Sequence, residues 1–233
     1  MKQISLILIL LITLFSCEKN EPEPEVIRAY CYFYNFLMSD PVIWEVDGVE
    51  LPETEYGNRF LGAALLDTDS QEVSFTVKNA DWGTIYGNQM VQLEKDAFYV
   101  MVICGTDQEP VLLIREEVRN NPGGGMIRFQ FLQAAGDLDS LDVYMGGTDP
   151  ENKVLSAIDY TDLSDYFEVE DYKARSSTII TMAGDAFEQD SVLIDYQYND
   201  PLQSETSYLV VVAHSDDLFS SEVTLFLYSH SVQ

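Results

Sequence analysis

The chain has 233 residues, of which 46% are apolar, and it carries 40 acidic against 12 basic residues for a formal net charge of −28. That apolar fraction supplies real packed cores and excludes an unstructured acidic chain, while the length suits one or two domains. A charge of this sign repels phosphate backbones and anionic lipid surfaces, which argues against nucleic acid as a partner.

In chain order, the N-terminus comes first and sets the expected compartment. Met1-Lys2 is a short positive start, Ile4 to Phe15 is almost wholly apolar, and Leu14-Phe15-Ser16-Cys17 places a small residue directly before a cysteine. About twelve apolar residues reach about 18 Å as a helix, short of the about 30 Å of a bilayer core, which argues against a transmembrane anchor. The segment resembles a bacterial lipoprotein signal with its lipobox. The resemblance implies removal of residues 1–16 and acylation of Cys17, and two or three acyl chains anchor a protein stably. Residues 17–25 then read as an acidic tether, polar and proline-bearing, extended and solvated. An acidic run after the cysteine resembles the surface-export signal of lipoproteins in gut-type Gram-negative anaerobes; a plain spacer in the periplasm is the alternative. The expected location is the outer membrane, lipid-anchored and exposed at the cell surface, with its periplasmic face as the alternative.

The first domain is expected over residues 26–119. Strand segments are Ile27 to Tyr34, Val42 to Val46, Arg59 to Leu66, Glu72 to Lys78, Ile85 to Leu93, Ala97 to Cys104 and Val111 to Glu116, rich in β-branched and aromatic residues. Turn formers such as Ser39-Asp40-Pro41, Asp47-Gly48 and Gly87-Asn88 separate them. Residues 120–125, N-N-P-G-G-G, mark a flexible glycine-rich linker. The second domain, residues 126–233, repeats the plan with Ile127 to Ala134, Leu141 to Met145, Val154 to Ile158, Tyr166 to Val169, Thr178 to Ala183, Ser191 to Gln197, Ser207 to His214 and Glu222 to His230.

The repeat is visible in residues. Val26-Ile27-Arg28 echoes Met126-Ile127-Arg128, Val46-Asp47-Gly48 echoes Met145-Gly146-Gly147, and Phe98-Tyr99-Val100-Met101-Val102 echoes Tyr208-Leu209-Val210-Val211-Val212. The fold class that follows is all-β, with two tandem immunoglobulin-like antiparallel β-sandwich domains after a lipoprotein signal peptide. The run from Ile127-Arg128 through Ala134-Ala135 to Leu141-Asp142-Val143-Tyr144-Met145-Gly146-Gly147, with a final apolar run after Ser204-Glu205-Thr206-Ser207-Tyr208, resembles domain-of-unknown-function family 4397. That resemblance implies tandem β-sandwiches on bacterial cell-surface proteins and lipoproteins, and brings no catalytic residues. In the first half the family's Asp-Val-Tyr becomes Ile43-Trp44-Glu45.

Candidate sites are few. Of three cysteines, Cys17 is assigned to lipid, and Cys31 and Cys104 either pair as a disulfide or pack as small hydrophobes on apolar strand faces. Asp137, Asp139 and Asp142 are closely spaced carboxylates of the kind calcium takes, yet they lack the glycine and distal glutamate of an EF-hand loop; turn and strand-end roles are the simpler reading. His214, Ser215 and Asp216 are neighbours in sequence, an arrangement that does not make a convergent triad. Tyr30, Tyr32 and Tyr34 share one face of the first strand, and with Trp44 and Trp82 they are the candidates for stacking on a glycan; packing against the other domain, or in a core, is the alternative. The expected function is a lipid-anchored binding or scaffolding protein without catalytic activity or cofactor, with a glycan, matrix or surface-protein partner. A fimbrial-type structural subunit and a hydrolase with an unrecognised carboxylate pair are the alternatives.

Overall fold

Apolar residues at every second position along short segments bury one face of each strand, and two such sheets closing face to face form a sandwich. The computed structural model describes residues 27–37, 41–60, 64–68, 72–118, 120–184, 187, 192–198, 202–215 and 222–230. The apolar N-terminal segment, Cys17 and the tether lie outside the described residues.

The first sandwich is built from β1 (Ile27–Leu37), β2 (Val42–Val46), β3 (Val49–Glu50), β4 (Asn58–Arg59), β5 (Ala64–Thr68), β6 (Glu72–Asn79), β7 (Ile85–Gln92), β8 (Phe98–Gly105) and β9 (Pro110–Glu116). One sheet runs β4-β1-β8-β9, with β5 also pairing β1, and the other runs β3-β2-β6-β7. The second sandwich comprises β10 (Met126–Gln133), β11 (Leu141–Met145), β12 (Lys153–Ile158), β13 (Phe167–Glu170), β14 (Thr178–Met182), β15 (Val192–Tyr196), β16 (Ser207–His214) and β17 (Val223–His230), with one α-helical turn at Asp171–Ala174. Its sheets run β13-β10-β16-β17 and β12-β11-β14-β15. Apart from β5, which has no counterpart among the described residues, this is the order of the first sandwich, so the sequence repeat is a repeat of topology. In each copy the opening strand pairs in parallel with the penultimate one, Tyr30 with Phe98 through Leu37 with Gly105, and Arg128 with Ser207 through Gln133 with Val212.

The tandem all-β sandwiches expected from the sequence are therefore present. The likeness to immunoglobulin domains is one of architecture. There the first two strands share a sheet, whereas here β1 and β2, and β10 and β11, lie in opposite sheets. The segment expected as one strand from Arg59 to Leu66 is two pieces, β4 and β5, both antiparallel to β1.

Each sandwich has its own core. Phe33, Trp44, Phe75, Val77 and Met101 fill the first, and Phe129, Phe131, Val143, Ile180 and Val210 the second. A third core lies between them. Tyr32, Tyr34, Phe36, Phe98, Val100 and Val102, on the outward face of the β1/β8 sheet, pack on Leu132, Ala134, Leu209, Val211 and Ala213 of the β10/β16 sheet. The chain is thus a stack of four sheets, with β1, β8, β10 and β16 buried on both faces.

Aromatic rings close the seam. Phe36 meets Phe226 edge-on at 5.4 Å, and Tyr34 meets Tyr228 at 4.8 Å. Gly57 explains how β17 comes so close. A Cβ there would stand 2.8 Å from the Phe226 ring, and its φ of +66° favours glycine. Tyr228 Oη donates to the Gly57 carbonyl at 2.5 Å, and Arg59 Nη1 to that of Ser229 at 3.0 Å.

A carboxylate placed in this third core has no partner and costs about 3 kcal/mol or more. Val211→Asp is therefore expected to lower the melting temperature of the whole chain while calorimetry still records one transition. Two separated transitions, with only the second sandwich shifted, would contradict the stacked arrangement.

Candidate functional site

The aromatic candidates separate by environment. Tyr32 and Tyr34 are buried in the third core, so the face read as a possible glycan platform is an interface between the two sandwiches. Tyr30 is half-buried beside it, stacked on Phe98 at 4.3 Å. Trp44 is 0% exposed within the first core, against Phe33. Tyr32, Tyr34 and Trp44 are thus closed to a ligand, and Tyr30 has one face taken by Phe98. Trp82 differs, being 79% exposed at the β6–β7 turn.

The backbone of that turn is tied down by one asparagine. Asn79, itself buried, accepts at Oδ1 from the backbone N–H of Asp81 (2.9 Å) and of Trp82 (2.7 Å). Its Nδ2 donates to Tyr86 Oη at 3.0 Å, and Gly83 N donates to its carbonyl at 3.1 Å. An asparagine that ties down its own turn is the ordinary reason for asparagine in such places.

Trp82 stands at one end of the outward face of the β3-β2-β6-β7 sheet. Ile43 and Glu45 of β2 pair with Lys78 and Thr76 of β6, which pair in turn with Ile85 and Asn88 of β7. Lys78 Nζ binds Glu45 at 3.1 Å and Glu50 at 2.5 Å, and both carboxylates raise its pKa. Asn88 Nδ2 donates to Thr76 Oγ1 at 2.6 Å. Ile85 and Met90 are exposed along β7.

The corresponding face of the second sandwich is closed. Asp142, Tyr144, Ile179 and Thr181, outward on β11 and β14, are all buried. Lys153 Nζ lies 5.3 Å from the centre of the Tyr144 ring, and Phe187 packs edge-on against the same ring at 5.6 Å.

The acidic cluster is divided rather than convergent. Asp142 accepts from Lys153 Nζ at 2.6 Å and from the N–H groups of Ala157 (2.9 Å) and Gly184 (3.3 Å). Burial alone would raise its carboxyl, but Lys153 and the two amides more than reverse this and hold it below the usual carboxylate range. Asp137, exposed, receives His214 Nε2 at 2.7 Å, and Asp139 is exposed. Among the described residues no group of three or more His, Cys, Asp or Glu side chains is placed to hold a metal ion. His214 is a buried strand-end residue paired to Asp137, and Asp216 lies outside the described residues.

Cys31 and Cys104 are free. Cys31 faces the first core and Cys104 the third, on opposite sides of one sheet, so the alternative of a disulfide between them does not hold. Burial pushes both thiols up, Cys104 to about 12, which makes them inert packing groups.

Two features were not read from the sequence. The first is a buried polar chain across the seam. Tyr34 Oη contacts His230 Nε2 at 2.5 Å, and His230 Nδ1 contacts Glu117 Oε1 at 3.0 Å. Glu117 is 4% exposed and His230 3%, and the Tyr32 ring lies flat on the imidazole at 4.7 Å. Both imidazole nitrogens, the phenol and the carboxylate thus each have a partner inside the seam. Burial raises the Tyr34 pKa, so the phenol keeps its proton. The second is Arg128. It donates to the carbonyls of Val118 (3.0 Å) and Asn120 (2.5 Å) and pairs with Glu168 at 2.7 Å, holding a linker that its glycines made look free.

No family model and no curated protein matches the sequence. Among solved structures, one match is CBMbc, of carbohydrate-binding module family 26, from Eubacterium rectale Amy13K in complex with maltoheptaose. It is 11% identical, over 86% of this chain and 96% of that one, with a TM-score of 0.25. At those values the likeness carries no argument about a ligand.

Asp142→Ala leaves an ammonium and two amides without their acceptor, and is expected to cost about 3 kcal/mol in chemical denaturation at pH 7. Because the folded carboxyl lies below its unfolded value, this contribution is complete at neutral pH. It is lost as the pH falls from about 4 through the lower folded value. The gap between variant and parent is therefore expected to narrow in acid; a gap unchanged at pH 2 would contradict the assignment.

Proposed function

We propose that this protein is a non-catalytic binding module, held on the outer membrane through lipid on Cys17 and displayed at the cell surface, with a glycan or matrix polymer as its ligand. The observation that carries the reading is Trp82, 79% exposed at the end of an open sheet face while the matching face of the second copy is covered. A large aromatic side chain exposed on a tied-down turn contributes little to folding, and such rings commonly serve in recognition. The acidic surface favours solubility over adhesion. The lipobox-like Leu14-Phe15-Ser16-Cys17 and the acidic tether support the location, and the resemblance to domain-of-unknown-function family 4397 agrees with it.

The test is a glycan-array and calorimetric screen of a soluble form beginning at Glu18, which keeps every described residue. Trp82→Ala is expected to weaken binding by about tenfold or more and to leave stability within about 0.5 kcal/mol, as for an exposed position. Binding is expected to be the same in calcium and in chelator, since Asp142 is committed to Lys153. Binding that survives loss of Trp82 and disappears in chelator would overturn the choice of face.

A further inference from the structure

Resting on the binding reading above, we infer that the open face beside Trp82 takes a neutral polysaccharide chain laid along β7. Successive outward positions of β7 carry Ile85, Asn88, Met90 and Gln92, with Thr76 and Ser74 of β6 alongside. At about 3.3 Å per residue this strand offers a track about 25 Å long, bent by a bulge near Ile85, with Trp82 beyond that end.

The charges select the class of ligand. Lys78, the cation this face carries, is already bound by Glu45 and Glu50, and Asp47 Oδ1 is taken by the Ser74 N–H at 2.8 Å. No uncompensated cation is left here to attract uronate or sulfate groups, and the net charge of −28 repels an anionic polymer at longer range. What remains is an aromatic ring, two exposed aliphatic side chains, and amides and hydroxyls between them. A sugar ring has an apolar C–H face and a rim of hydroxyls, and that composition matches both.

The experiment is affinity electrophoresis, followed by titration calorimetry, of the soluble chain beginning at Glu18. The probes are a linear neutral glucan, a neutral mannan, polygalacturonate and chondroitin sulfate. At least one neutral chain is expected to bind about tenfold or more tightly than either anionic one. Trp82→Ala is expected to weaken it by about tenfold or more and Asn88→Ala by about threefold. Tyr172→Ala, exposed on the second sandwich, is expected to change nothing. Melting temperatures of all variants guard against unfolding. Trp82-dependent binding that favours the anionic polymers would overturn the neutral class while leaving the face in place. Neutral binding indifferent to both Trp82 and Asn88 would overturn the face itself. No binding to any of the four would overturn the inference, and an unresponsive wider array would then overturn the glycan reading with it.

Discussion

The third apolar core, where the outward face of β1 and β8 meets the outward face of β10 and β16, is the constraint on which the rest of the structure depends. Burying a large apolar side chain stabilises by about 1.5–3 kcal/mol, and this seam buries several from each side. It also encloses polar groups that must find partners there. Tyr34, His230 and Glu117 do so in one chain of hydrogen bonds whose ends belong to the first sandwich and whose middle belongs to the last strand of the second. Such a chain is satisfied only when the two halves sit in one relative position, so it adds orientation to an attraction that alone is non-directional. The grip of Arg128 on the Val118 and Asn120 carbonyls extends the same constraint to the connection between them.

The strands were legible because alternation and turn residues are local signals. Nearly every segment expected from β-branched and aromatic runs is a strand, and the duplication is matched, apart from β5, by the same strand order. The seam was only half legible. Phe98 through Cys104 and Tyr208 through Ala213 are apolar at nearly every position rather than every second one. That is the pattern of a strand buried on both faces. The tyrosines at 30, 32 and 34 belong to the same pattern, with ring hydroxyls that disguise it. What such a run cannot specify is its partner, since that depends on how two sandwiches dock. The polar chain was out of reach for a related reason. Glu117 and His230 are 113 residues apart, and a histidine near the chain's end carries no local mark of burial. The three aspartates showed the reverse case: a tight spacing in sequence that the alternation of β11 and its turn sends to different partners.

Duplication also left the two copies unequal, and the inequality locates the candidate site. Where the second sandwich has Asp142 and Tyr144 under Lys153 and Phe187, the first has Ile43 and Glu45 on an open sheet. Stacking closes the inward-facing sheets of both copies to any ligand. The outer sheet of the first copy remains, with Trp82 at its end on a turn whose backbone Asn79 ties down. The stack hides its interior aromatics, and Trp82 is the most exposed ring among the described residues.

The measurement that most directly tests the stacked arrangement is native-state hydrogen exchange followed along the chain. Amides of β8 and β16, on the two sides of the third core, are expected to open with one shared free energy equal to that of global unfolding. Slower exchange in one sandwich than in the other, with β8 and β16 opening independently at different free energies, would contradict the account.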